Sequence, residues 1–239
     1  MNEHDPAVSP TRRRFFRTIT LIPAAAVGLP ACTDHDAKGG TRAAAATPYQ
    51  PTFFNAAEMA FVTAACEHIV PTDDLGPGAV EAGVPEFLDR HMKTPYAAGD
   101  IWYMAGPYVE SSDLFGYQGR LPLRDILRVG IKSFDTHCRE NFGGKSFAEL
   151  DPKQQLQLLQ AADGGKLKFA DISAKTFFGS LLNEVKAGYF ADPHHGGNKD
   201  MIGWKAIDYP GARADYADWV GVRDRRYPLP PVDIAGQRA

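Results

Sequence analysis

The chain has 239 residues, room for one domain and a short appended segment. A formal charge of −3 gives neither the basic field of a nucleic-acid binder nor an acidic tail, so nucleic acid is excluded as a partner. The apolar fraction of 44% is ordinary for a globular protein and sufficient for a core.

Residues 1–46 read as a targeting segment and linker. Thr11-Arg12-Arg13-Arg14-Phe15-Phe16-Arg17 carries a twin-arginine pair, and the apolar run Ile19 to Ala31 follows it. A charged start, a short apolar stretch and small residues afterwards describe an export signal. The run is too short to span a bilayer comfortably, which takes about 20 residues. Arg12, Arg13 and Phe15 are therefore the export-signal residues, and the twin-arginine (Tat) translocase is an expected partner. Two processing sites stand open. Leu29-Pro30-Ala31-Cys32 resembles a lipobox, which would lipidate Cys32, whereas Ala43-Ala44-Ala45-Ala46 offers small residues for ordinary cleavage.

Residues 47–226 are expected to form a mainly α, single compact helical domain with long ordered loops. Asn55 stands three residues before Glu58, a capping-box arrangement, and Met59, Val62, Cys66, Ile69 and Val70 follow at helical spacing up to Pro71. Thr72 to Gly83 is rich in Asp and Gly but lacks the alternating ligands of a calcium loop, so it reads as a structural turn. Pro85 suits the first turn of a helix running to about Met92. Tyr96 to Gly119 interleaves Trp102, Tyr103, Met104, Tyr108, Phe115 and Tyr117 with Gly and Pro. It reads as an aromatic partner surface, as a loop folded onto its own core, or as a carbohydrate platform.

Leu121 to Phe142 is the clearest long helix, with Leu123, Leu127, Ile131, Phe134, Cys138 and Phe142 on one stripe. Ser146…Glu149 and Asp151-Pro152 announce the next helix, up to Gly164-Gly165. Another is expected from about Ser173 to Gly188, with Phe177, Leu181, Leu182 and Val185 inward. Arg213 to Val220 is expected to add a short helix, and residues 227–239 a proline-extended tail. Cys66 and Cys138 both fall on inward stripes. In an oxidising periplasm they are expected to pair, closing a loop of about 70 residues for roughly 3–5 kcal/mol. The other reading is two separate buried thiols.

The densest stretch is Gly188 to Gly211, where helical period gives way to Gly, Pro, two adjacent His and four aromatics. It reads as a long ordered loop held down by Phe190, Trp204 and Tyr209. His194, His195, Asp192 and Asp200 are metal-ligand types, but adjacent His residues in an extended segment point apart, which argues against one ion. No C-x-x-C-H haem site, no G-x-G-x-x-G turn after a strand, and no nucleophile elbow occurs in the chain.

Three motifs in this order resemble the gluconate 2-dehydrogenase subunit 3 family. They are Val70-Pro71-Thr72-Asp73-Asp74-Leu75-Gly76-Pro77-Gly78-Ala79 with Glu81-Ala82-Gly83-Val84, then Phe190-Ala191-Asp192-Pro193 with Gly196 to Asp200 and Gly203-Trp204-Lys205, then Tyr209 to Arg213. The resemblance runs from about Pro51 to Pro231. It implies the non-catalytic small (gamma) subunit of a membrane-associated sugar-acid dehydrogenase, with no cofactor of its own. The implied partners are an FAD-containing glucose–methanol–choline-type subunit and a multihaem cytochrome c subunit carrying haem c. The expected location is the periplasm, against the cytoplasmic membrane. Twin-arginine transport exports folded proteins, so this chain is expected to carry the folded flavin subunit with it. Asp192, His194, Asn198, Lys199, Trp204 and Lys205 are the candidate interface residues, with no catalytic, cofactor-binding or metal residue. The rival readings are a stand-alone enzyme with His194 or His195 as general base, and a sugar-binding lipoprotein using the aromatic segment.

Overall fold

The computed structural model describes residues 49–109 and 112–239. The expected export residues Arg12, Arg13 and Phe15, and Cys32, lie outside the described residues. Among those described there are seven α-helices and only isolated β-bridges, so the chain is mainly α.

Local chemistry sets most helix ends. In α1 (Ala56–Ile69) the Asn55 side chain accepts from Glu58 N, while the Glu58 carboxylate accepts from Asn55 N, a complete capping box. Gly83 in the left-handed region leads into α2 (Val84–His91), whose second residue is Pro85. A one-turn α3 (Pro95–Ala98) follows. The long α4 (Leu123–Asn141) buries Leu127, Ile131, Phe134 and Cys138. Ser146 and Glu149 close a second capping box around a 3₁₀ turn, and Asp151 caps α5 (Pro152–Asp163). Ser173 caps α6 (Ala174–Phe190), which runs two residues past Gly188. The short α7 (Ile202–Ala206) lies inside the stretch expected to be loop. In place of the helix expected over 213–220 there is one 3₁₀ turn, Ala217–Trp219.

α6 is the central element, packed against α4, α2 and α5. Phe61, Phe134, Phe147 and Phe177 fill the middle, with Phe61 and Phe147 centroids 4.6 Å apart and Phe134 edge-on to Phe147 at 5.1 Å. A Cβ on Gly130 of α4 would sit 1.9 Å from Phe177 Cδ2, so glycine is what lets α4 and α6 approach this closely. Asp135 and Gln155 are polar groups paired within the core. Asp135 Oδ1 accepts from Phe147 N, and Gln155 Nε2 donates to Phe147 O while its Oε1 lies 2.8 Å from His68 Nε2.

The expected Cys66–Cys138 disulfide is not found in the structure. Cys66 and Cys138 are both fully buried, and both are free thiols. Each helix buries its own cysteine as a small apolar side chain. Burial, reinforced by Glu67, pushes the Cys66 thiol far up; burial, reinforced by Asp135, pushes Cys138 up to about 12.

Residues 227–239 fold back onto the domain. Val232 bridges Gly211 and Arg238, Ala212 N donates to Val232 O, and the Arg213 guanidinium stacks over Tyr227 with its carbon 5.0 Å from the ring centre. The described residues cluster as one unit that includes this tail.

Candidate partner interface

The three sequence motifs meet in space at the C-terminal end of α6. Asn198, fully buried with φ +46°, is the pin. Its Nδ2 donates to Ala191 O (2.8 Å), and its Oδ1 accepts from Gly203 N (2.7 Å). The next residue reaches the first motif: Lys199 N donates to Ala82 O (3.0 Å), and its ammonium pairs with Glu86, which also binds Arg90. Tyr189 donates from its hydroxyl to Pro77 O (2.8 Å). Burial, followed by the Asp73 charge, holds that phenol above its usual range. Trp204 packs edge-on to Tyr209 at 5.2 Å and donates from Nε1 to Phe190 O (2.9 Å). The third motif then holds the tail through the Gly211–Val232 bridge.

This clasp sorts the six expected interface residues. Asn198 and Trp204 are buried against their own domain, so they hold the loop rather than present it. His194, Lys199 and Lys205 are exposed, with Lys199 already paired to Glu86. Asp192 is half-buried and accepts from His194 N through Oδ1 and from Ile234 N through Oδ2 (2.8 Å), fastening the tail to the loop. Asp192→Ala is expected to free residues 227–239 for early cleavage in limited proteolysis, at a stability cost of about 1–3 kcal/mol for its two hydrogen bonds. A tail as resistant as in the unaltered chain would remove Asp192 from this role. The His194 and His195 rings sit edge-on, 5.3 Å apart. Among the described residues no three His, Cys, Asp or Glu gather as metal ligands.

The surface presented outward is the aromatic segment. Tyr103 is 88% exposed, Leu114 95%, Phe115 70% and Trp102 53%, with Ile101, Tyr108, Val109 and Tyr117 exposed beside them. Of the three sequence readings, folding onto its own core is therefore not the one realised. Exposed apolar runs on this scale are uncommon on monomeric domains.

Behind this segment, between α3, α4 and α6, lies a cleft of about 530 Å³ bordered by Tyr96, Trp102, Tyr103, Tyr117 and Glu184. Glu184, only 6% exposed, sits on α6 among Phe177, Leu181, Val185 and Gly188. Its Oε2 lies 3.0 Å from His91 Nδ1, near enough for an ion pair, yet neither atom has a hydrogen bond of good alignment. A charge contact tolerates such misalignment, whereas a hydrogen bond weakens steeply with it. Tyr96 stacks at 5.2 Å from His91 and edge-on at 5.0 Å to Trp102, whose Nε1 donates to Tyr96 O. Burial and then the Glu184 charge raise the Tyr96 phenol above its usual value. Sequence reading did not single out His91 or Glu184, although a carboxylate in the register of Phe177, Leu181 and Gly188 was a visible signal.

The sequence motifs of this helical chain clasp its own loop, and the aromatic segment is left outward. A model of the gluconate 2-dehydrogenase subunit 3 family matches residues 56–211, and the chain belongs to that family. The match begins at α1 and ends at the glycine that bridges the tail. Neither the curated proteins nor the solved structures contain a match to this chain.

Proposed function

We propose that this chain is the accessory, non-catalytic small subunit of a periplasmic, membrane-associated gluconate 2-dehydrogenase. In this reading it docks an FAD-containing glucose–methanol–choline-type subunit, with a multihaem cytochrome c subunit completing the complex. Gluconate oxidation belongs to the whole assembly, and FAD and haem c belong to the partner subunits. Family membership carries the reading, and the exposed aromatic segment supports it by offering a surface of the composition that interfaces use. The chain's contribution would be twofold: stabilisation of the flavin subunit by binding only its folded state, and export of that subunit through the twin-arginine signal.

The test is co-purification from a gently extracted envelope with a C-terminal tag, followed by flavin and haem absorbance. A yellow, haem-bearing complex is expected. Substituting Arg12→Lys together with Arg13→Lys is expected to remove most of the flavin subunit from the periplasm along with this chain. A flavin subunit that arrives undiminished would end the carrier role, and a colourless lone chain would end the accessory reading.

A further inference from the structure

The Glu184 cleft is chemically unfinished within this chain. A carboxylate 94% buried normally has several donors, because burying charge without them is costly. Here Oε2 faces only the misaligned His91 ring, and no Lys or Arg among the described residues borders the cleft. What does border it is aromatic: Tyr96, Trp102, Tyr103 and Tyr117. Aromatic faces around an anion are a poor site for a sugar acid, whose carboxylate would meet Glu184 at short range. They suit a planar cation, which gains from the ring quadrupoles and from a charge-assisted hydrogen bond together. The cleft also opens within the exposed aromatic segment, so a side chain entering it would come from whatever covers that segment.

We propose that the cleft receives an arginine side chain of the partner subunit, stacked on the aromatic rim with its guanidinium donating to the Glu184 carboxylate. The proposal rests on the accessory-subunit reading for the identity of the partner, but not for the chemistry of the site. The inserted arginine would anchor the aromatic interface at its centre, where a desolvated charge pair counts most.

Two arms test it separately. In the first, N-acetyl-arginine amide is titrated into the full exported chain while the Trp102 indole N–H is followed by NMR, assigned with Trp102→Phe. Arginine amide is expected to move that signal saturably, and the neutral isostere N-acetyl-citrulline amide is not. Glu184→Gln is expected to weaken the arginine response about tenfold or more. Because Glu184 is buried, Trp102→Leu serves as a second variant at a half-exposed position, read from other signals of the cleft and expected to weaken binding with folding intact. An absent arginine response, an equal citrulline response, or a response to glucose or gluconate instead would overturn the proposal.

The second arm uses the purified complex. Glu184→Gln is expected to lower retention of the flavin subunit about tenfold under a stringent wash, while the variant chain melts as a folded protein. Unchanged retention would overturn the arginine proposal and leave the accessory reading intact. If the unaltered chain retains no flavin subunit, the accessory reading and the partner assignment fail together, and the first arm still decides the chemistry of the cleft.

Discussion

Asp89→Ala is expected to cost about 3–5 kcal/mol of stability, the largest effect of any single polar substitution in the domain. Asp89 on α2 is fully buried and works as a clamp for the segment entering α1. Its Oδ2 accepts from the Tyr49 hydroxyl (2.7 Å), Thr52 N (2.7 Å) and the Thr52 hydroxyl (3.0 Å); its Oδ1 accepts from Phe53 N (2.9 Å) and Phe54 N (2.7 Å). Alanine would orphan three backbone amides at once. Chemical denaturation of the variant and the unaltered chain measures the difference, and a loss under about 1 kcal/mol would show the clamp to be dispensable.

The clamp also carries a pH signature. Desolvation raises the Asp89 pKa, but the hydrogen bonds from Phe54, Thr52, Tyr49 and Phe53 outweigh it, and the net direction is downward. The unfolded chain therefore binds the proton first as pH falls, from about pH 3.9 for a free Asp. The stabilisation is fully present above that pH and is lost as pH drops through the lower folded value. Asp89→Asn is expected to flatten the acid limb of the stability profile below about pH 4. A variant whose acid limb parallels the unaltered chain would remove Asp89 from the titration.

Gly203→Ala is expected to unseat the clasp and lower stability by roughly 2–4 kcal/mol. A Cβ at this position would lie 2.1 Å from Tyr189 O and 3.2 Å from Asn198 Oδ1. The first neighbour is helix backbone and cannot swing aside, so the loop must lift. Lifting breaks the Gly203–Asn198 hydrogen bond, and with it the pin that holds Trp204 over Phe190. Limited proteolysis should then cut within residues 192–208 while the α1–α4–α5 core stays resistant. Gly221→Ala is the control, since a Cβ there meets nothing within 4 Å. Equal melting temperatures for Gly203→Ala and Gly221→Ala would show that the close approach is not needed.

These two sites mark the reach of sequence reading. Gly203 stood inside a stretch whose density of Gly, Pro and aromatics was plain, so a special backbone was expected there. Asp89 was not singled out, because its partners lie 35–40 residues away and no local pattern announces them. The candidate interface divides the same way. His194, Lys199 and Lys205 are exposed as surface residues should be, whereas Asn198 and Trp204 are internal. A polar residue in a turn reads as exposed until its partners, Ala191 and Gly203, are seen around it. His91 and Glu184 lie far apart in the chain, on α2 and α6, and become one site only when those helices pack.

What the amino-acid sequence determined by itself was local or recurrent. The helices α1, α4, α5 and α6 follow from apolar period and from caps at Asn55, Asp151 and Ser173, whose hydrogen bonds close within three residues. Family membership follows from motifs along the chain. Only the tertiary structure decided that the motifs clasp each other, that Cys66 and Cys138 stay separate thiols, that the tail folds back, and that the aromatic segment faces outward beside a buried carboxylate. Each of these depends on which surfaces remain uncovered once distant helices have packed, and no short window of sequence contains that information.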